Sequence, residues 1–153
     1  MKINIRPMTV SDIDALGFDE QWIRTRYKQY IEAGVGPAWF VEDDVGPLCA
    51  FGAAIYWNNM WCGGVEESIS GVCEVWYILI TKRKILSQMK ALKSYIVEQA
   101  GNYGVHRIQA ITKKDFGVGA RFLEFLGFKC ETPEGMEKYF PDGSTALLYS
   151  RVL

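Results

Sequence analysis

One stretch limits what this chain can become. CEVWYILI, residues 73–80, is nearly unbroken in apolar, β-prone residues, with Glu74 as its single acid. It is followed by KILSQMKALKSYIVEQAGNYG, in which Ile85, Met89, Leu92 and Ile96 recur at helical spacing before glycines at 101 and 104, and then by HRIQAIT. The period switches from strand to helix and back, which predicts a strand, a helix lying across the sheet and a second strand. The continuous apolar run suits a strand in the middle of a sheet, covered on both faces. A strand-helix-strand crossover commits the chain to the mixed α/β class.

The remaining segments predict what surrounds that unit. INIRP reads as a short strand ending near Pro7, and Ser11 or Asp12 can cap a helix over IDAL. EQWIRTRYKQYIEAG carries Trp22, Ile23, Arg26, Tyr27, Tyr30 and Ile31 at three- and four-residue spacing and stops at Gly34 and Gly36. PAWFVEDDVGPLCAFGAAIYW holds two β-prone runs around the turn-rich EDDVG, which predicts an antiparallel hairpin. NNMWCGGVEESISG lacks apolar periodicity and reads as a surface loop. GVGARFLEFLGF predicts a short helix stopped by Gly127, with Phe128 opening a strand through Cys130. EKYFPDGSTALLYSRVL predicts a closing hairpin around Pro141, Asp142 and Gly143. With 49% hydrophobic and 23% charged residues, residues 1–153 are expected to form one domain with a proper core.

Charge narrows the partners. A formal net charge of −1 and a pI near 5.9 provide no global field toward nucleic acid or an anionic membrane, so neither is an expected partner. MKINIRPMTV alternates instead of forming the apolar core of a secretory signal, and a cytoplasmic location is expected. Four cysteines without CxxC spacing and a lone His106 predict free thiols and no metal site. Where CEVWYILI ends, Lys82, Arg83 and Lys84 lead into the helix without a glycine. Such a junction can bind an anion through helix N-terminal amides and cationic side chains, or can be a solvated strand exit.

The element order, IRPMTVSDIDAL at the start, the central strand with its long helix, and HRIQAIT followed by ARFLEFLGFK resemble the GCN5-related N-acetyltransferase (GNAT) superfamily. More narrowly, GPAWFVEDD, CEVW, RIQAITKKDFGVGARFLEFLGF and YFPDGSTALLYSRV look like small phage- and prophage-encoded members. The resemblance implies a single-domain GNAT-like α/β fold with a mixed central sheet flanked by helices. It implies acetyl-CoA as cofactor and acyl transfer to an amine, of a small molecule or a protein. Its alternative is a catalytically silent virion or assembly protein with phage structural partners, located in the virion.

In that superfamily the central strand splays from its neighbour, and the loop after it wraps the coenzyme pyrophosphate. The loop's usual form has Gln or Arg, two residues, Gly, any residue, then Gly or Ala; here Arg83, Leu86 and Gln88 take those places. Leu86 is therefore expected to restrict backbone approach. Cofactor contacts implied by the resemblance are Ile78, Ile80, Lys82, Arg83, Lys84, Leu86, Ser87 and Gln88. Glu74 is the implied general base, and burial among apolar neighbours is expected to favour its protonated form. The tyrosine that the family often supplies as acid is replaced by Leu123. Tyr77, with Tyr139 as a second choice, is the expected substitute, and Cys73 beside Glu74 is expected to be a small buried residue. Acceptor selection is expected from the first helices and from Trp57, Trp61, Glu66 and Glu67.

Overall fold

The computed structural model describes residues 2–34, 36–57, 60–61 and 71–153. Among the described residues eight strands form one mixed sheet: β1 (Asn4–Pro7), β2 (Ala38–Glu42), β3 (Pro47–Trp57), β4 (Met60–Trp61), β5 (Val72–Leu79), β6 (Arg107–Lys113), β7 (Lys129–Cys130) and β8 (Ala146–Val152). Their order is β1-β2-β3-β5-β6-β8-β7, with β4 paired to β3. The CEVWYILI strand is thus the central one, with three strands on either side along this path. Helices α1 (Gln21–Ala33), α2 (Leu86–Asn102) and α3 (Gly117–Phe125) and a 3-10 helix (Val10–Leu16) flank the sheet. No described helix is long and apolar enough to cross a membrane.

Period-two alternation divides the core by sheet face. Cys73 and Val75 of β5 pack with Ile108, Ala110, Leu123, Leu126, Leu147 and Tyr149 on the α2–α3 face. Trp76 and Ile78 point the other way and pack with Phe40, Leu16, Tyr27 and Ile31 beneath α1 and the 3-10 helix. Gly52 is the cross-strand partner of Trp76, and a Cβ there would stand 2.5 Å from the indole. A glycine at that position is what lets the ring lie across β3 and receive Tyr27 and Tyr30 edge-on, at 5.1 and 5.7 Å.

Three expectations change. The helix over IDAL is a 3-10 helix whose N-cap is Thr9, where Asp12 and Thr9 form a capping box and Asp12 also takes a bidentate Arg6. Those ties to β1 leave room for only a short, tight turn. EKYF does not form a strand: the only pairing of this segment outside the named strands is the single bridge Met136–Ala146, and β8 pairs instead with β6 and β7. An extended run becomes a strand only if an edge is open to it; β6 fills one edge of β8 along its whole length, and β7, Glu131 and Met136 take up the other. Met60–Trp61, placed in the expected surface loop, add β4; the rest of that loop lies outside the described residues.

Candidate active site

β5 and β6 run parallel yet share only three rungs: Val72 with Arg107, Cys73 with Ile108 and Glu74 with Gln109. On their outer edges both stay paired for their full length, β5 to β3 and β6 to β8. The sheet therefore opens into a V beyond Glu74. The Gly71 carbonyl accepts the N–H groups of His106 and Arg107, so the alternate residues that follow it present their backbone to β6. By that alternation the N–H and C=O of Tyr77 face the gap, past the last rung. Unpaired strand edges seek a partner, and here the wedge admits an extended ligand chain.

Glu74 stands on the last rung, half-buried, on the α1 side of the sheet with Trp76 and Ile78. Tyr77, three residues on, necessarily points to the opposite face. Its ring stacks on Phe122 at 4.0 Å between centroids, and its hydroxyl donates to the Met89 sulfur at 3.5 Å. Burial holds the phenol well above its ordinary value, so it keeps its proton and makes a poor acid. Glu74 and Tyr77, the expected base and acid, thus stand on opposite faces of β5. Tyr139 lies on the surface, edge-on to Phe140, and Leu123 is a core residue. Cys49 and Cys73 are buried free thiols pushed up to about 12, which leaves little thiolate for covalent chemistry.

At the mouth of the V the basic junction is organised by a residue from another element. Asp43, in the turn between β2 and β3, has a fully enclosed carboxylate. Its Oδ1 accepts the Arg83 guanidinium at 2.9 Å and the N–H groups of Val45 and Gly46 at 2.9 and 3.2 Å, and its Oδ2 accepts Gln88 Nε2 at 3.3 Å. Arg83 and these donors hold the carboxyl down at about 2. Ser87 donates to Gln88 Oε1 at 2.8 Å, and the Ile80 and Thr81 amides both donate to the Leu48 carbonyl. Side-chain ties thus shape a loop that glycine shapes elsewhere. Arg83 and Gln88 serve the loop's own structure, while Lys82 and Lys84 are exposed beside the start of α2 and make no ion pair among the described residues. Leu86 is 61% exposed, so its side chain turns to solvent. Ile78 and Ile80 anchor the strand exit under α1.

The enclosed spaces do not compete with this gap. A cavity of about 40 Å³ between α2 and the sheet, lined by Phe51, Cys73, Val75, Ile96 and Ile108, is on the scale of a water molecule. A hollow of about 310 Å³ near Pro37, Trp39, Gln99 and Tyr103 has no carboxylate, histidine or thiol among its described lining residues. Glu66, Glu67 and the side chains of Trp57 and Trp61 lie outside the described residues.

No family model and no curated protein matches the sequence. Solved structures do match the fold. A GNAT-family protein from Desulfovibrio desulfuricans superposes with a TM-score of 0.74 at 14% identity, over 99% of both chains. This is the GNAT fold. A ribosomal L7/L12 alpha-N-protein acetyltransferase in complex with coenzyme A gives 0.73 at 10% identity, over 99% of this chain and 94% of that one. Spermidine/spermine N-acetyltransferase from Vibrio cholerae gives 0.69 at 12% identity, over 98% and 92%. The GNAT likeness is thus carried by backbone architecture, with few identical residues. Asp43 escaped sequence reasoning because an Asp in a DDVG turn looks like an ordinary solvated turn former; its call on Arg83, 40 residues away, has no local signal.

Proposed function

We propose that this protein transfers an acyl group, acetyl in the simplest case, from coenzyme A to an amine, with the reacting carbonyl held in the V between β5 and β6. The observation that carries the reading is the ladder that ends at Glu74 while both outer edges continue. The residues present fit the cofactor: the Tyr77 backbone faces the gap, and the α2 N-terminus with Lys82 and Lys84 offers amide dipoles and free cations to a pyrophosphate. Arg83, Ser87 and Gln88, braced by Asp43, hold that cradle in shape, and Ile78, Ile80 and Leu86 border it.

When bound, the coenzyme supplies an activated thioester. Glu74 takes the proton from the incoming amine, directly or through one water, as the N–C bond forms and the C–S bond breaks. Tyr77 is a packing group in this reading, and solvent protonates the departing thiolate. Positioning in the wedge then supplies much of the rate.

Two measurements test this. Acetyl-CoA should raise the melting temperature, because a ligand selective for the folded state stabilises it by mass action. Glu74→Gln should keep that shift while turnover falls by roughly 10²–10⁴-fold, the range for loss of a general base. Absence of any shift at millimolar coenzyme A would remove the cofactor reading. A shift without transfer to any of a broad amine panel would favour the catalytically silent virion or assembly protein.

A further inference from the structure

The face that carries Glu74 continues across β6 and β8 through Arg107, Gln109 and Ser150. Among the described residues α2 and α3 cover only the opposite face, against Ile108, Ala110, Leu147 and Tyr149. On the Glu74 face Arg107 spends three of its donors. It binds Glu131 in bidentate fashion at 2.8 and 2.6 Å, and its Nε donates to Gln109 Oε1 at 3.3 Å. Buried Ser150 donates to Glu131 at 2.6 Å, completing a rigid brace around the carboxylate.

A guanidinium has donors only, so the Gln109 carboxamide must turn its oxygen toward Arg107. Its NH₂ group then faces away from Arg107. Gln109 lies two residues along β6 from Arg107, on the last rung before β5 and β6 part. Gln109 is also the rung partner of Glu74, on a neighbouring strand about 4.8 Å away. A proton acceptor and an amide donor thus stand side by side at the apex of the V.

Resting on the acyl-transfer reading, we propose that Gln109 is a specificity-determining residue: its NH₂ donates to a carbonyl oxygen of the acceptor while the adjacent amine meets Glu74. The acceptor class this selects is an α-amine with a neighbouring carbonyl, as in an amino-acid amide or a peptide N-terminus. A plain alkylamine offers Gln109 nothing.

The test compares alaninamide, an alanine-initiated tetrapeptide and ethylamine on the wild-type protein, Gln109→Met and Gln109→Glu. Methionine removes the donor at similar size; glutamate keeps an oxygen for Arg107 but has no N–H. In Gln109→Met, kcat/KM for the two carbonyl-bearing acceptors should fall about tenfold, the scale of one hydrogen bond, with ethylamine changed less than about twofold; in Gln109→Glu, where the new carboxylate beside Glu74 alters all three, the carbonyl-bearing acceptors should fall about tenfold relative to ethylamine. Comparing variants on each acceptor cancels the different basicities of the amines. An equal fall for all three acceptors, or none, overturns the proposal. Calorimetric binding of alaninamide with excess coenzyme A separates the two readings. Binding that weakens about tenfold in Gln109→Met, without transfer in the wild type, sinks the acyltransferase reading but leaves Gln109 as the recognition residue; no binding to the wild type sinks the recognition. Preference for the tetrapeptide over alaninamide assigns protein N-termini, and the reverse assigns a small amide.

Discussion

A buried carboxylate on a hairpin turn decides the shape of the basic junction. Asp43 stays ionised to about 2, against 3.8 ordinarily, because Arg83 and three further donors converge on it. As pH falls below 3.8 the unfolded chain takes up the proton first, so the stability that Asp43 contributes is complete above that value and is lost as pH approaches 2. Asp43→Asn should therefore lower stability at neutral pH and show a shallower acid dependence from pH 4 to 2. Urea midpoints measured across that window check it. An unchanged slope in the variant would mean that Arg83 holds the loop without Asp43.

One of the contacts between α1 and the sheet depends on a missing side chain. Gly52 sits under the Trp76 indole, so Gly52→Ala forces the ring off β3 and disturbs the edge-on contacts with Tyr27 and Tyr30. Overpacking of this kind costs about 1–3 kcal/mol. We expect a lower melting temperature and altered tryptophan emission, with the α2–α3 side unaffected because it packs on the other face. A variant as stable as its parent would show that the indole has room to move.

Across the whole molecule, the split ladder makes the central strand unequal along its length. Amides of β5 that point to β3 are paired to the end, whereas the Tyr77 amide points into the gap. Hydrogen exchange should accordingly be faster at Tyr77 than at its neighbours Trp76 and Ile78, and acetyl-CoA should slow it. Replacing Lys82 and Lys84 with alanine should weaken that protection by removing the two exposed cations of the cradle. Equal exchange rates along β5, indifferent to acetyl-CoA, would count against a ligand in the V.

By itself the sequence determined what depends on neighbours a few residues apart. The 3.6-residue pattern of Met89, Leu92 and Ile96 after Ile85 makes α2, and the run from Cys73, apolar but for Glu74, makes a central strand, because burial of one stripe or of both faces is the way to cover those side chains. The opposite faces of Glu74 and Tyr77 were already legible in their odd spacing. Contacts that join distant segments were decided by the tertiary structure alone. The point where β5 leaves β6, the capture of Arg83 by Asp43 and the brace of Arg107 on Glu131 each bring together residues 24 to 40 positions apart. No local propensity encodes such pairings; they follow from which backbone edges and buried charges remain unsatisfied once the sheet has closed around its core.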